Sequence, residues 1–448
     1  MKKVKTIISR LKNNTFWKSV IVLASGTALA QFLGVFTTPI VSRLYDPQAY
    51  GEYAIIWSTA TIITTLVTLG LTSAVMVPVS DEESREVFTV AFWTMLFLAT
   101  VVLAVMLIVS PFFHFFKPGI SYTVACILVY GFVIVNGLGG LLRVYVNRKG
   151  LNRVLFYNSL IGALATLCIT IPLGFLNIGS LGLVTASIIA GIVSNVQMLY
   201  HTKPFKKWLP LQCFKKVYIK YKDFILYQHP SNFVANLASQ MPTQIFSAVF
   251  GNANLGSYSM NEKILGIPSR LIGTPINTVY FRTASEYNKE GKNLAEFTFS
   301  LVTKVMAIAF IPITVAVFWG EQLFVWVLGP SWSEAGKFAG FLIVQYVFMF
   351  CTNCTSYCRV AIGRQKVNFV ISILRLVIIS LSVFMGAFLY RDLFYTIVFF
   401  TVGSSLYLII DMTMNFYCMG KYWTNYLVFA LIYFSAIIVL WFLAGKLS

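Results

Sequence analysis

Thirteen stretches of about twenty or more predominantly apolar residues follow one another along this 448-residue chain. They lie at 18–41, 52–78, 88–112, 121–142, 155–176, 180–200, 224–248, 255–281, 298–319, 337–358, 368–390, 393–416 and 424–444. A helix of about twenty such residues crosses the hydrocarbon core of a bilayer. In that core every backbone N–H and C=O must be bonded internally, so long unalternating apolar runs read as helices. Charged residues make up 11% of the chain, against roughly a quarter in soluble domains. The expected fold is all-α and membrane-integral.

The net charge of +19 would suggest nucleic acid on a soluble protein. Here the positions of the charges matter more. With the N-terminus inside, the inner segments carry 25 of the 34 Lys and Arg, and the outer ones carry Arg43, Lys117, Lys337, Arg391 and Lys446. That bias fixes an N-terminus in the cytoplasm. It gives the basic face a partner in anionic membrane lipid, and nucleic acid is not needed. The start, MKKVKTIISRLKNNTFWKSV, reads as a retained cytoplasmic segment, not a cleaved signal.

The longest polar interruption, 201–223, divides twelve spans into six and six. The expected domains are 1–200, a basic cytoplasmic linker at 201–223, 224–416, and a further C-terminal helix within 417–448. A sequence echo supports two halves. TTPIVSRLYDPQAYGEYAI carries Pro39, Gly51 and Tyr53, and QMPTQIFSAVFGNANLGSYSM carries Pro242, Gly256 and Tyr258. Repeats of this kind are a transporter architecture, with the binding site near the bilayer midplane.

Ionisable groups inside spans are costly and mark pathways or partners. The segment 255–281 carries Glu262, Lys263 and Arg270 and is interrupted by Pro268 and Pro275. Lys263 and Arg270 are seven apart and so share a helix face, and Arg270 lies about 22 Å from the outer end. Broken helices at this depth line watery cavities, so the stretch reads as the wall of a cationic passage. Arg43 closes the first span. Arg375 and Asp411 lie at similar depth on consecutive spans, placed either to pair with each other or to face substrate. Asn232, Asn236, Gln240 and Gln244 repeat every four residues as a polar stripe. Glu262 and Asp411 are the acidic candidates for proton or sodium coupling. No cofactor and no metal is expected. Of the seven Cys, Cys213 lies in a Lys-rich loop, and Cys351, Cys354 and Cys358, near one face of an apolar helix, read as packing residues; His114, His201 and His229 form no constellation. There is no GxxxxGK[ST] loop and no HExxH helix, so ATP drive and zinc hydrolysis have no support.

Three stretches carry a resemblance to a known family: ASGTALAQFLGVFTTPIVSRLYDPQAYGEYA, LRVYVNRKGLNRVLFYNSL, and HPSNFVANLASQMPTQIFSAVFGNANLGSYSMNEKILGIPSRLIG. The chain resembles Wzx-type polysaccharide flippases of the MOP/MATE-like superfamily over most of residues 18–300. The resemblance implies two pseudo-symmetric six-helix bundles in a MATE-like V, with twelve core spans. The thirteenth apolar segment departs from that pattern. It implies translocation of undecaprenyl-diphosphate-linked oligosaccharide repeat units, for O-antigen, capsule or a related glycan, across the bacterial cytoplasmic membrane. It also implies a cationic lumen, for which Arg43 and Arg270 are the best candidates by motif position. Other glycan-assembly membrane proteins are candidate partners. One alternative is a MATE-like small-molecule exporter, for which an acidic lumen would be expected. The other is a membrane-embedded glycan polymerase or ligase, which would need a sizeable outer loop with catalytic charge.

Overall fold

The structure is a computed structural model and describes residues 15–109, 120–205, 211–364 and 367–445. His114, Lys117, Lys446 and the basic residues of 1–14 lie outside the described residues. All regular structure among the described residues is helical. The longer helices are α1 (Thr15–Leu44), α2 (Pro47–Val67), α3 (Asp81–Val109), α4 (Tyr122–Arg148), α5 (Asn152–Phe175), α6 (Ser180–Thr202), α7 (Leu211–Lys220) and α8 (His229–Phe250). They continue with α9 (Asn252–Leu265), α10 (Thr274–Glu290), α11 (Leu294–Leu328), α12 (Ser333–Cys354), α13 (Val367–Phe384), α14 (Leu393–Cys418) and α15 (Trp423–Leu443).

Among the described residues, nine helical stretches are long and apolar enough to cross a membrane. They are α3 to α6, α11, the stretch Pro330–Ala361 that contains α12, the stretch Val367–Tyr390 that contains α13, α14 and α15. The chain is a multi-pass membrane protein. The other four expected spans are helical but less uniform. Helix α1 carries Pro39 within it. Helix α2 stops at Val67, and the chain turns at Leu69 and Gly70, both with positive φ. The expected span 224–248 opens on a wide π-turn at Phe224–Gln228 before α8. The expected single span 255–281 is three pieces: α9, a π-turn at Ser269–Gly273, and α10. Pro268 lacks the N–H that would bond back one turn, and the helix widens where that bond is missing.

The chain forms two compact units. One comprises Met1–Tyr45 and Ile56–Asn236, and the other Asp46–Ile55 and Leu237–Ser448. In the first unit α1 packs on α5, α5 on α6, and α3 on α4. Polar ties run between these helices. The Tyr45 hydroxyl donates to Thr170 O (2.8 Å), Asn158 Nδ2 to Ser194 O (2.8 Å), and Asn195 Nδ2 to Val135 O (2.8 Å). Within the segment expected as a linker, α7 is amphipathic. Val217 is buried on it and Tyr221 just after it, both against the core of Phe88, Leu141, Tyr145 and Met198. Lys216 lies 3.9 Å from Glu86, and Lys220 pairs with Glu83. Residues 217 and 221 are one helical turn apart, so a basic stretch still presents one apolar stripe to the unit.

At the end of α4, Arg148 donates to Pro78 O (2.5 Å) and Ser80 O (3.1 Å) and pairs with Asp81 (3.3 Å), which opens α3. One guanidinium thus satisfies the turn that precedes α3. Arg148→Gln should loosen that turn by about 1–3 kcal/mol. The measurement is amide hydrogen exchange, which should speed up across residues 76–81 and leave α5 unchanged.

In the second unit α12 is the central helix, buried along most of its length. Three side chains bond backbone carbonyls across it or beside it: Asn261 Nδ2 to Ala335 O (2.7 Å), Trp441 Nε1 to Gly340 O (2.9 Å), and the Tyr433 hydroxyl to Met306 O (2.9 Å). The first turns of α2 and α9 also cross here. A Cβ on Gly51 would lie 1.7 Å from Asn252 O, and a Cβ on Gly256 would lie 1.7 Å from Pro47 O. Pro47 and Asn252 each open their helix, and the glycine follows four residues later. The contact is therefore reciprocal, and it is made by the two echo motifs.

Candidate functional site

A polar cavity of about 310 Å³ lies inside the second unit. Its lining includes the basic residues Arg270, Arg359 and Arg375 and the acidic residues Glu262 and Asp411, with Tyr258, Gln345, Tyr346, Ser404 and Tyr407 between them. Five charged side chains share one cavity in a unit whose spans are strongly apolar.

Each charge is placed by a local feature. Glu262 comes from the end of α9. Arg270 comes from the π-turn that follows Pro268. Its guanidinium folds back to donate to the carbonyl of Lys263. A Cβ on Gly266 would sit 2.7 Å from Arg270 Nη1, so the return path needs a residue without a side chain. Glu262 and Arg270 are both exposed side chains. Arg375, on α13, lies over the Tyr407 ring at 5.7 Å, a favourable place for a guanidinium. Ser404, Tyr407, Leu408, Asp411 and Asn415 lie along one face of α14 at three- and four-residue spacings, as one helical stripe should.

The expected pairing of Arg375 with Asp411 is corrected by the structure. Asp411 Oδ1 instead accepts from Arg359 Nη2 at 2.5 Å, and the two side chains are 12% and 8% exposed. Arg359 stands in the short helix Cys358–Ala361, at the end of the apolar stretch Pro330–Ala361. Its neighbours in YCRVAIG are apolar. That context, with the acidic Asp411 on a later span, was the signal that could have identified it.

Lys263 goes elsewhere. Its Nζ is 3.4 Å from the Tyr50 hydroxyl and 5.4 Å over the Tyr50 ring, and Tyr50 meets Trp332 edge to face. Of the two, only Arg270 lines the cavity; it sits in the π-turn, where regular α-helical phase no longer applies. The amide stripe of α8 also divides. Asn232 is exposed, and Asn236 Nδ2 donates to Thr65 Oγ1 at 2.5 Å, both in the first unit. Gln240 and Gln244 are partly buried in the second unit, where α8 turns Ala238, Ser239 and Pro242 to the cavity. Arg43 lies in the first unit, exposed, in the last turn of α1. No group of three or more His, Cys, Asp or Glu among the described residues could hold a metal ion.

Residues 40–337 match the family described as "Polysaccharide biosynthesis protein". The chain belongs to that family. The match covers Arg43, Glu262, Lys263 and Arg270, and it ends before Arg359, Arg375 and Asp411. The chain is 21% identical over 364 residues to the succinoglycan biosynthesis transport protein ExoT of Rhizobium meliloti (strain 1021), covering 78% of this chain and 70% of that protein. In fold it is similar to the lipid II flippase MurJ in an inward closed conformation. The TM-score is 0.68 at 13% identity, over 95% of this chain and 98% of that one. It is also similar to an inward-facing MATE family multidrug resistance transporter of the MOP superfamily, with a TM-score of 0.61 at 14% identity, over 89% and 94% of the two chains. The chain therefore shares the fold of these two transporters.

Proposed function

We propose that this protein is a flippase. It moves undecaprenyl-diphosphate-linked oligosaccharide repeat units, for O-antigen, capsule or a related surface glycan, from the inner to the outer leaflet of a bacterial cytoplasmic membrane. The observation that carries this reading is the cavity holding Arg270, Arg359 and Arg375 among apolar spans. A diphosphate-linked sugar has an anionic, heavily hydrated head that hydrocarbon excludes. Guanidinium groups bind phosphate through paired N–H donors. The polyprenyl tail needs no shelter and stays in lipid. Membership of a polysaccharide biosynthesis family and the fold shared with MurJ support the same reading.

The proposed cycle is alternating access, which opens the cationic cavity to each side of the membrane in turn. Glu262 is the more accessible acid for proton or sodium coupling, since Asp411 is held by Arg359. The N-terminus is proposed to be cytoplasmic from the charge bias. That bias survives the removal of Arg359 from the inner count.

The test is complementation of a strain lacking the gene. Arg270→Ala should cut surface glycan at least about tenfold and raise undecaprenyl-linked oligosaccharide in the inner leaflet, with the protein still present in the membrane. Arg270→Lys should recover part of the signal, because it keeps the charge and loses the fork. Full rescue by Arg270→Ala would remove this residue from the substrate path. A null strain with no accumulated lipid-linked intermediate would remove the flippase reading itself.

A further inference from the structure

Three turns of the second unit share a short pattern. Gly291, Gly363 and Gly420 each follow a helix end with positive φ, at 67°, 72° and 77°, the left-handed step on which helices commonly stop. A basic residue comes next in each case: Lys292, Arg364 and Lys421. In the folded chain these three basic residues line one recess of about 400 Å³, together with Tyr287, Leu294 and Cys418. The recess shares no residue with the polar cavity that holds Arg270.

Its floor is packed. Leu294 is buried with Tyr280, Ala284 and Cys358, and Tyr287, Ile362 and Met419 pack on that cluster. Its rim is charged. Lys292 pairs with Glu290 at 2.6 Å, and Asn293 Nδ2 donates to Glu296 Oε2 at 3.1 Å. Neither of these acids lines the recess, and no other acid does, so its surplus charge is positive.

The level of the recess in the membrane points to the ligand. The apolar stretches Leu294–Leu328, Pro330–Ala361 and Leu393–Cys418 start or end here, so this is where hydrocarbon gives way to headgroups. Tyr417 and Trp423, 61% and 43% exposed, meet edge to face on either side of Lys421 in the sequence, and exposed Tyr and Trp favour the same layer. The three basic residues come from segments expected on the cytoplasmic side, where the leaflet carries anionic lipid. Basic pockets between spanning helices at that level suit lipid headgroups.

We propose that this recess binds the phosphate headgroup of an anionic phospholipid. Arg364 and Lys421 take the phosphate oxygens, Arg364 through paired N–H donors. Lys292, already answered by Glu290, closes the rim. The site lies apart from the transport cavity and does not depend on what the protein carries.

Cys418 lines the recess and is a free, half-buried thiol, so a bound headgroup should shield it. The test uses the full-length protein in nanodiscs of phosphatidylcholine, with or without phosphatidylglycerol. Labelling by uncharged N-ethylmaleimide is read by peptide mass spectrometry, with Cys213 of the first unit as the internal reference. Phosphatidylglycerol should slow Cys418 labelling several-fold relative to Cys213. Two interfacial basic charges are worth about thirtyfold in binding anionic lipid, so in Arg364→Gln/Lys421→Gln the protection should vanish. Lys215→Gln/Lys222→Gln, which removes the same charge from the first unit, should keep it. Thermal melting confirms that each variant is folded. Equal labelling in the two lipids, or protection that survives in Arg364→Gln/Lys421→Gln, overturns the site. Equal protection by inorganic phosphate in phosphatidylcholine alone would make it a free-anion site and overturn the phospholipid assignment. Protection by a trace of polyprenyl diphosphate but not by phosphatidylglycerol would also overturn it. The flippase reading stands after any of these results, because none of them uses the transport cavity.

Discussion

Gly51→Ala and Gly256→Ala are each expected to destabilise the protein by at least about 3 kcal/mol, the upper part of the usual range for overpacking. A methyl group at either position would occupy the place of a backbone carbonyl oxygen, 1.7 Å from Asn252 O in one case and from Pro47 O in the other. A clashing side chain can rotate away, but a carbonyl in the first turn of a helix moves only with the helix. Close helix crossings in membranes depend on small residues for this reason. The two exchanges should fail alike, since each glycine meets the opening residue of the other helix. Size-exclusion profiles and melting curves in detergent measure the effect. Wild-type melting of Gly256→Ala would show that the crossing is not tight in the membrane. The double exchange should cost little more than either single one, because both separate the same pair of helices.

The second large effect is expected at Asp411. Asp411→Ala leaves Arg359 buried with no counter-charge. Breaking such a pair by removing one member costs about 3–5 kcal/mol. Replacing both members, as Arg359→Met/Asp411→Leu, should cost clearly less, since it also removes the desolvation of two charges. A double-mutant cycle by thermal unfolding in detergent reads this as a strong positive coupling. Additive losses would mean that the 2.5 Å contact contributes nothing to stability. Neither member should be replaced alone in transport assays, because a loss of folded protein would be read as a loss of function.

Much was legible in the sequence, because the bilayer imposes long-range order on short-range pattern. Runs of apolar residues of spanning length gave nine stretches directly, and a turn at Leu69 and Gly70 ended the helix early in another. Pro268 and Pro275 announced a broken helix, and the structure has a π-turn and a new helix start between them. Arg270 and Arg375 were visible as charges that hydrocarbon would not host. The linker's second role was less visible, because a basic stretch hides a stripe such as Val217 and Tyr221 unless helical spacing is applied to it.

Sequence by itself determined the solvent, the helices and the sign of the charge, since each of these depends on residue type and local spacing. Tertiary structure alone decided the partners. It gave Asp411 to Arg359 and not to Arg375, set Lys263 beside Tyr50, and set two echoed glycines against each other's helix starts. Those outcomes depend on the phase of a π-turn and on which helices meet across tens or hundreds of residues, and hydropathy and residue spacing encode neither.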